Sequence, residues 1–115
     1  MPNVSQQPKP EWSVLTRPGC ENVEFRVLLN TEGLVVANLR FAAYANIDKH
    51  SAPYDIDVIC IQGAGYTQVG DTTAELRAGE TIRWPAGIDH HLWTDGETME
   101  TLMVERLAME ATIQS

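Results

Sequence analysis

The sequence predicts an all-β domain, either a sandwich or a small barrel, on three observations. Short apolar segments alternate with a period of two residues, and no segment sustains a 3.6-residue period. Glycine, proline and aspartate separate these segments at regular intervals. The chain has 115 residues, 43% of them hydrophobic, which suits one domain with its own core. A small barrel fills its interior from alternate strand positions and leaves a mouth for a ligand.

The predicted strands follow one another along the chain. The first, VEFRVLLN, places Val23, Phe25, Val27 and Leu29 on one apolar face, and LVVANLRFAAY alternates in the same way. The third, DVICIQG, is a continuous apolar run that suits a strand buried on both faces. The glycines of QGAGYTQVG are interpreted as turn residues between strands. Further strands are predicted in YTQVGDTTAELRAG (two, around a Gly-Asp turn), ETIRWPAG, HHLWT and METLMVERL.

The amino-acid composition restricts which partners the protein can bind and which cellular compartment it suits. Residues 1–10 are polar and Pro-rich, which predicts a flexible arm ahead of a single domain at residues 11–115. A net charge of −8 disfavours binding to nucleic acid or to an anionic membrane surface. No apolar run is long enough for a membrane helix. Cys20 and Cys60 match no disulfide or zinc framework, so we expect a reducing, cytoplasmic setting with Cys60 as a buried thiol.

The segment GETIRWPAGIDHHLWT carries the most specific pattern in the chain. It contains Gly79, Pro85, Gly87 and His90 at fixed offsets, followed by Thr94. Proline presets a turn and glycine allows positive φ, so the chain can reverse sharply and the histidine opens the next strand. The pattern resembles the second motif of the cupin family, Gly-x5-Pro-x-Gly-x2-His-x3-Asn, with threonine in place of the final asparagine.

The segment HSAPYDIDVICIQG resembles the first cupin motif, in which metal ligands are usually held. His50 matches its first histidine and Gly63 its closing glycine. Ala52 stands in place of the second histidine, and Ile56 in place of the glutamate. The strand–turn–strand frame is therefore kept, while two of the four expected ligands are replaced by apolar residues.

The resemblance covers about residues 34 to 107 and implies a double-stranded β-helix, the jelly-roll barrel of small single-domain cupins. It implies a divalent metal (Fe, Mn, Ni or Zn) only at His50 and His90, with water or substrate completing the shell. Because side chains alternate along a strand, His91 should face away from His90. The same alternation predicts a pocket lined by a set of small and apolar residues: Ala52, Ile56, Val58 and Cys60.

One route to a fuller metal site stays open at this point. Asp55 and Asp57 flank Ile56, and carboxylates are sound ligands for these metals. Strand alternation points them away from the interior, and only a β-bulge would turn one of them inward.

Three functions follow as hypotheses. The first is a small-molecule-binding barrel with a weak or absent metal site. The second is a metal-dependent enzyme, a dioxygenase, isomerase or lyase acting on a small organic substrate. The third is a sensor or regulatory module that works with a separate partner chain. Small cupins resembling this one commonly pair, so we also expect a homodimer that uses VEFRVLLN and the strand at Asp57 to Ile61.

Overall fold

The computed structural model describes residues 10–107, and within them every regular element is a β-strand. No helix among these residues is long and apolar enough to cross a membrane. The predicted arm at residues 1–10, except for Pro10, and residues 108–115 of the predicted domain lie outside the described range, so the predicted boundaries stay predictions. The strands are β1 (Ser13–Val14), β2 (Cys20–Thr31), β3 (Leu34–His50), β4 (Ile56–Val69), β5 (Thr72–Arg77), β6 (Thr81–Trp84), β7 (His90–Trp93) and β8 (Met99–Arg106).

Two long bent strands, β3 and β4, close the barrel. Strand β8 lies between their first halves, pairing with residues 34–41 of β3 and 56–63 of β4. Strand β7 lies between their second halves, pairing with residues 46–50 and 66–69. Strand β2 pairs with β3 along its length, while β6 and β5 flank the two halves of β4. All ladders are antiparallel, so the predicted all-β double-stranded barrel is confirmed.

The bends fall at residues with positive φ. Tyr44 in β3 has φ of 58°, and Gly63 in β4 has φ of 77°. A Cβ at Gly63 would lie 2.0 Å from the backbone oxygen of Thr98, so the strand can pass there only without a side chain. The prediction that the glycines of QGAGYTQVG are turn residues is therefore wrong for Gly63 and Gly65, which lie inside β4. It is right for Gly70, which lies in the turn between β4 and β5.

Burial along β4 corrects a second expectation. Ile56, Val58 and Cys60 are buried, whereas Asp57 and Ile59 between them are half-buried. The run DVICIQG therefore has one core face rather than two. Cys60 is fully enclosed, as expected for a structural thiol, and burial raises its pKa.

Strand β2 departs from the alternation predicted for it. Val23 is fully buried and Phe25 packs against the core, but Val27, Leu28 and Leu29 are each between 42% and 46% exposed. The register of β2 against β3 shifts between Val27 and Leu29, which breaks the two-residue period. The end of β2 therefore carries an exposed apolar stretch instead of a core face.

Candidate functional site

The turn between β6 and β7 is built as the sequence predicts. Gly87 has φ of 76°, and the Ile88 N–H donates to the Pro85 carbonyl to close the turn. Two backbone N–H groups tie the turn to the β3–β4 connection: Gly87 donates to the Ala52 carbonyl and Ala86 to Asp55 Oδ1. The turn thereby delivers His90 to the first position of β7.

His90 meets His50 across the β3–β7 ladder, as the two motifs predict. The two residues are paired in register, and their Nε2 atoms lie 3.3 Å apart. His50 Nδ1 lies 2.8 Å from the carbonyl oxygen of Asp48. Because a carbonyl oxygen only accepts, His50 carries a proton on Nδ1, and in the neutral ring its Nε2 is an acceptor. His90 Nε2 then donates to it.

His90 is enclosed in the core and is not part of the cavity wall. It is 1% exposed, and its ring stacks on Trp84 with centroids 3.9 Å apart and planes 10° apart. Trp84 is itself fixed by donating from Nε1 to Thr67 Oγ1. Burial, followed by the neighbouring His50, lowers the pKa of His90 to about 4. His90 is therefore a neutral ring in the core at neutral pH.

A cavity of about 300 Å³ opens beside this pair, at the end of the barrel closed by the β3–β4 connection. Its wall is mainly apolar and draws on β2, β3, β4, β6 and β8. His50, Ala52, Ile56 and Trp84 belong to the wall, whereas His90 lies behind His50 and Trp84. The volume is at the lower end of the range for small-molecule sites.

The polar groups of the cavity collect at its mouth. Arg17 places a guanidinium nitrogen 3.5 Å from His50 Nε2. Tyr54 donates from its hydroxyl to Glu105 Oε1 over 2.9 Å. Burial, with that hydrogen bond and the charge of Glu105, raises the pKa of Tyr54 to about 12, so the phenol stays protonated. The cavity is therefore an apolar cup with a small number of polar groups held in fixed positions at its rim.

The donor set does not fit a resident metal ion. Across residues 10–107, no three His, Cys, Asp or Glu side chains come together in a group suited to hold one. The Arg17 guanidinium approaches the same His50 nitrogen that a cation would need. We therefore derive no chemistry through a metal.

The aspartates beside Ile56 do not replace the missing glutamate. The register of β4 against β8 is unbroken from Ile56 to Cys60, so no bulge turns them inward. Asp57 lies on the outside of the barrel, where it accepts hydrogen bonds from Arg83 and Arg106. These two guanidinium groups lower its pKa, chiefly through the hydrogen bond from Arg83. Asp55 is used by the turn, as described above.

Other residues singled out in the sequence occupy different places. Val58 and Cys60 do not line the cavity, because β4 carries them inward past Ile56 into the core beside Met103. His91 faces away from His90 and contacts Asn46 Oδ1 through Nε2, with its ring against Trp93. Sequence reasoning did not find Arg17, because it lies in an irregular segment before β2 that carries no period or motif.

Comparisons with known proteins agree with this geometry. A cupin domain family profile matches residues 43–105, which is more than half of the chain. A conserved protein of unknown function from Streptococcus pyogenes is 27% identical, with a TM-score of 0.68 over 74% of each chain.

Two further solved structures share the fold at lower identity. The polyketide cyclase RemF from Streptomyces resistomycificus is 20% identical, with a TM-score of 0.80, covering 91% of this chain and 79% of its own. KdgF from Halomonas sp. is 16% identical, with a TM-score of 0.71, covering 88% and 90%. These likenesses establish the barrel and leave the activity to be argued from the site.

Proposed function

This chain belongs to the cupin family, and from that premise we propose that it binds a small organic molecule in the barrel cavity without using a metal ion. The observation that carries the proposal is the cavity of about 300 Å³, mainly apolar, beside a histidine pair that has no third ligating side chain among residues 10–107. Apolar concave sites with a few convergent polar groups are the usual form of small-molecule sites.

The histidine pair has a structural explanation that needs no metal. His90 fills the core against Trp84 and donates to His50, which is held in turn by the Asp48 carbonyl. In this arrangement Ala52 and Ile56, at two positions where the family pattern has ligands, form part of an apolar wall. The site is suited to holding a ligand by burial and hydrogen bonds.

Two measurements on the untagged chain, purified without added metal, test the proposal. Elemental analysis is expected to find far less than one metal ion per chain. A stoichiometric metal that disappears in His90→Ala would overturn the proposal and favour the metal-dependent enzyme. The second measurement is calorimetric binding of a neutral aromatic probe, 2-naphthamide.

A matched pair of variants locates that binding. Ala52→Phe adds a ring to the cavity wall and is expected to abolish binding of 2-naphthamide. Ala86→Phe adds the same ring to an exposed turn position outside the wall and should leave binding unchanged. Equal binding by both variants would show that the probe sits elsewhere.

We also propose that the chain forms a homodimer. The support is the exposed apolar pair Leu28 and Leu29 at the end of β2, which lie outside the cavity wall, since contiguous exposed apolar surface commonly marks an interface. Light scattering after size exclusion should give twice the 12.8 kDa of one chain. A mass equal to one chain at all concentrations would exclude the dimer.

A further inference from the structure

Arg17 differs from the other arginines of residues 10–107 in what it contacts. Four of them lie against carboxylates: Arg40 on Glu24, Arg77 on Glu75, and Arg83 and Arg106 on Asp57. Arg26 donates to Asn38 and stacks on Trp12. Arg17 has no carboxylate within ion-pair distance among the described residues, and its guanidinium contacts His50 Nε2 instead.

That contact holds the guanidinium at the mouth of the cavity. His50 is fixed by the Asp48 carbonyl, and the single lone pair of its Nε2 is shared between His90 Nε2 at 3.3 Å and an Arg17 guanidinium nitrogen at 3.5 Å. A guanidinium has five N–H donors in a planar fork, and the imidazole nitrogen uses one of them. The remaining donors are available beside an apolar wall that includes Leu15, Ile47 and Ala52.

The carboxylate of Glu105 limits where the charged end of a ligand could lie. Glu105 also lines the cavity, and it would repel a second carboxylate placed beside it. Its Oε1 already accepts from Tyr54, whose proton is therefore engaged. An anionic group is therefore favoured beside Arg17 and disfavoured beside Glu105.

Resting on the proposed function, we propose that the cavity selects organic monoanions with an apolar body, of the class of aromatic carboxylates. Arg17 pairs with the carboxylate at the mouth and the apolar body occupies the cup. Carboxylate recognition by a guanidinium is the strongest hydrogen-bonded pairing that these rim residues offer. Arg17 is thus the specificity-determining residue of the site.

The test compares two probes that differ only in charge, 2-naphthoate and 2-naphthamide, by calorimetry at neutral pH and low salt. Wild type should bind the carboxylate at least about tenfold more tightly than the amide, as expected for a charge-assisted hydrogen bond. Arg17→Gln should remove that preference while leaving amide binding nearly unchanged. Arg77→Gln, which removes a guanidinium outside the cavity, is the matched control and should keep the preference.

The outcomes separate this inference from the proposed function. If the amide binds in the cavity but the carboxylate gains nothing, or keeps its advantage in Arg17→Gln, the anion assignment is overturned and small-molecule binding stands. If neither probe binds wild type, both the anion assignment and the proposed function are overturned. Circular dichroism of each variant verifies that the comparison is made on folded protein.

Discussion

Two segments meet at the same end of the barrel and differ in what they contribute. The β6–β7 segment, residues 79–94, supplies a tight turn and a buried histidine. The β3–β4 segment, residues 50–63, keeps the strand–turn–strand frame of its motif but presents Ala52 and Ile56 to the cavity. Backbone hydrogen bonds join them directly, from Gly87 to Ala52. The comparison shows that a segment can keep the backbone that forms the barrel while the residues at its metal-ligand positions are replaced.

The largest effect is expected from a side chain at the glycine that closes the β3–β4 segment. Gly63→Ala combines positive φ with a Cβ that would strike the Thr98 backbone, so we expect a loss of about 4 kcal/mol or more in unfolding free energy. Gly87→Ala, in the partner segment, meets no atom within 4 Å and should cost only about 1 to 2 kcal/mol. Urea titration measures both, and equal losses would contradict the steric argument.

A second effect tests how the β6–β7 segment is anchored. Thr94 Oγ1 accepts from the Ala45 N–H and donates to the Ala42 carbonyl, on either side of the bend in β3. Thr94→Val keeps the shape but leaves the buried Ala45 N–H unpaired and removes the hydrogen bond to the Ala42 carbonyl, for an expected loss of about 2 to 3 kcal/mol. Thr81→Val, at an exposed position, is the control and should stay within about 0.5 kcal/mol of wild type.

Acid should weaken the fold through the buried histidine. The unfolded chain takes up a proton on His90 near pH 6.5, whereas the folded chain does so only near pH 4. The stability due to neutral His90 is therefore complete above about pH 6.5 and is lost as pH falls from there toward pH 4. We expect about 2 kcal/mol less at pH 5 than at pH 7, by urea titration.

His90→Phe, which keeps a ring against Trp84, should remove most of that difference. Part should persist, because burial also lowers the pKa of His91. An unchanged pH dependence in His90→Phe would show that other groups carry it.

The smallest effect is a gain rather than a loss. Ala52→His with Ile56→Glu restores the two replaced residues of the β3–β4 segment, next to His50 and His90. We expect the double variant to bind Ni²⁺ at least about tenfold more tightly than wild type, since carboxylate and imidazole complete a donor set. Adding His90→Ala should remove the gain, which calorimetry can follow. No gain would mean that the segment's backbone, and not only its side chains, differs from a metal site.

The elements themselves were predictable where side chains alternate or a turn residue is fixed by φ. Most strand positions after residue 34 and the Pro85–Gly87 turn follow from the sequence in this way. The continuity of β4 through Gly63 could not be predicted from the sequence. Glycine occurs both in hairpin turns and at bends within a strand where another backbone passes closely, and the sequence does not distinguish the two. The continuation of β3 past Tyr44 was missed for a related reason, a non-glycine residue at positive φ.

The sequence predicted that the two histidines of the site meet, but it did not predict how deeply His90 is buried. The two motifs predict that His50 and His90 meet, and they do. Whether a histidine faces a cavity or is enclosed depends on Trp84 stacking across it, a contact between strands that no spacing rule encodes. Arg17 lies in an irregular segment that has no strand periodicity or motif, so its position at the mouth of the cavity is visible only in the structure.

The sharing of β8 between β3 and β4 has a consequence for synthesis on the ribosome. The first halves of β3 and β4 form no backbone hydrogen bonds with each other. Each pairs with β8, so these edges stay unpaired until Met99–Arg106 has been translated. Until then the nascent chain displays the inward faces of two long strands, with unpaired edges that can associate with other chains. This architecture therefore makes closure of the barrel a late event, which follows translation of the last strand.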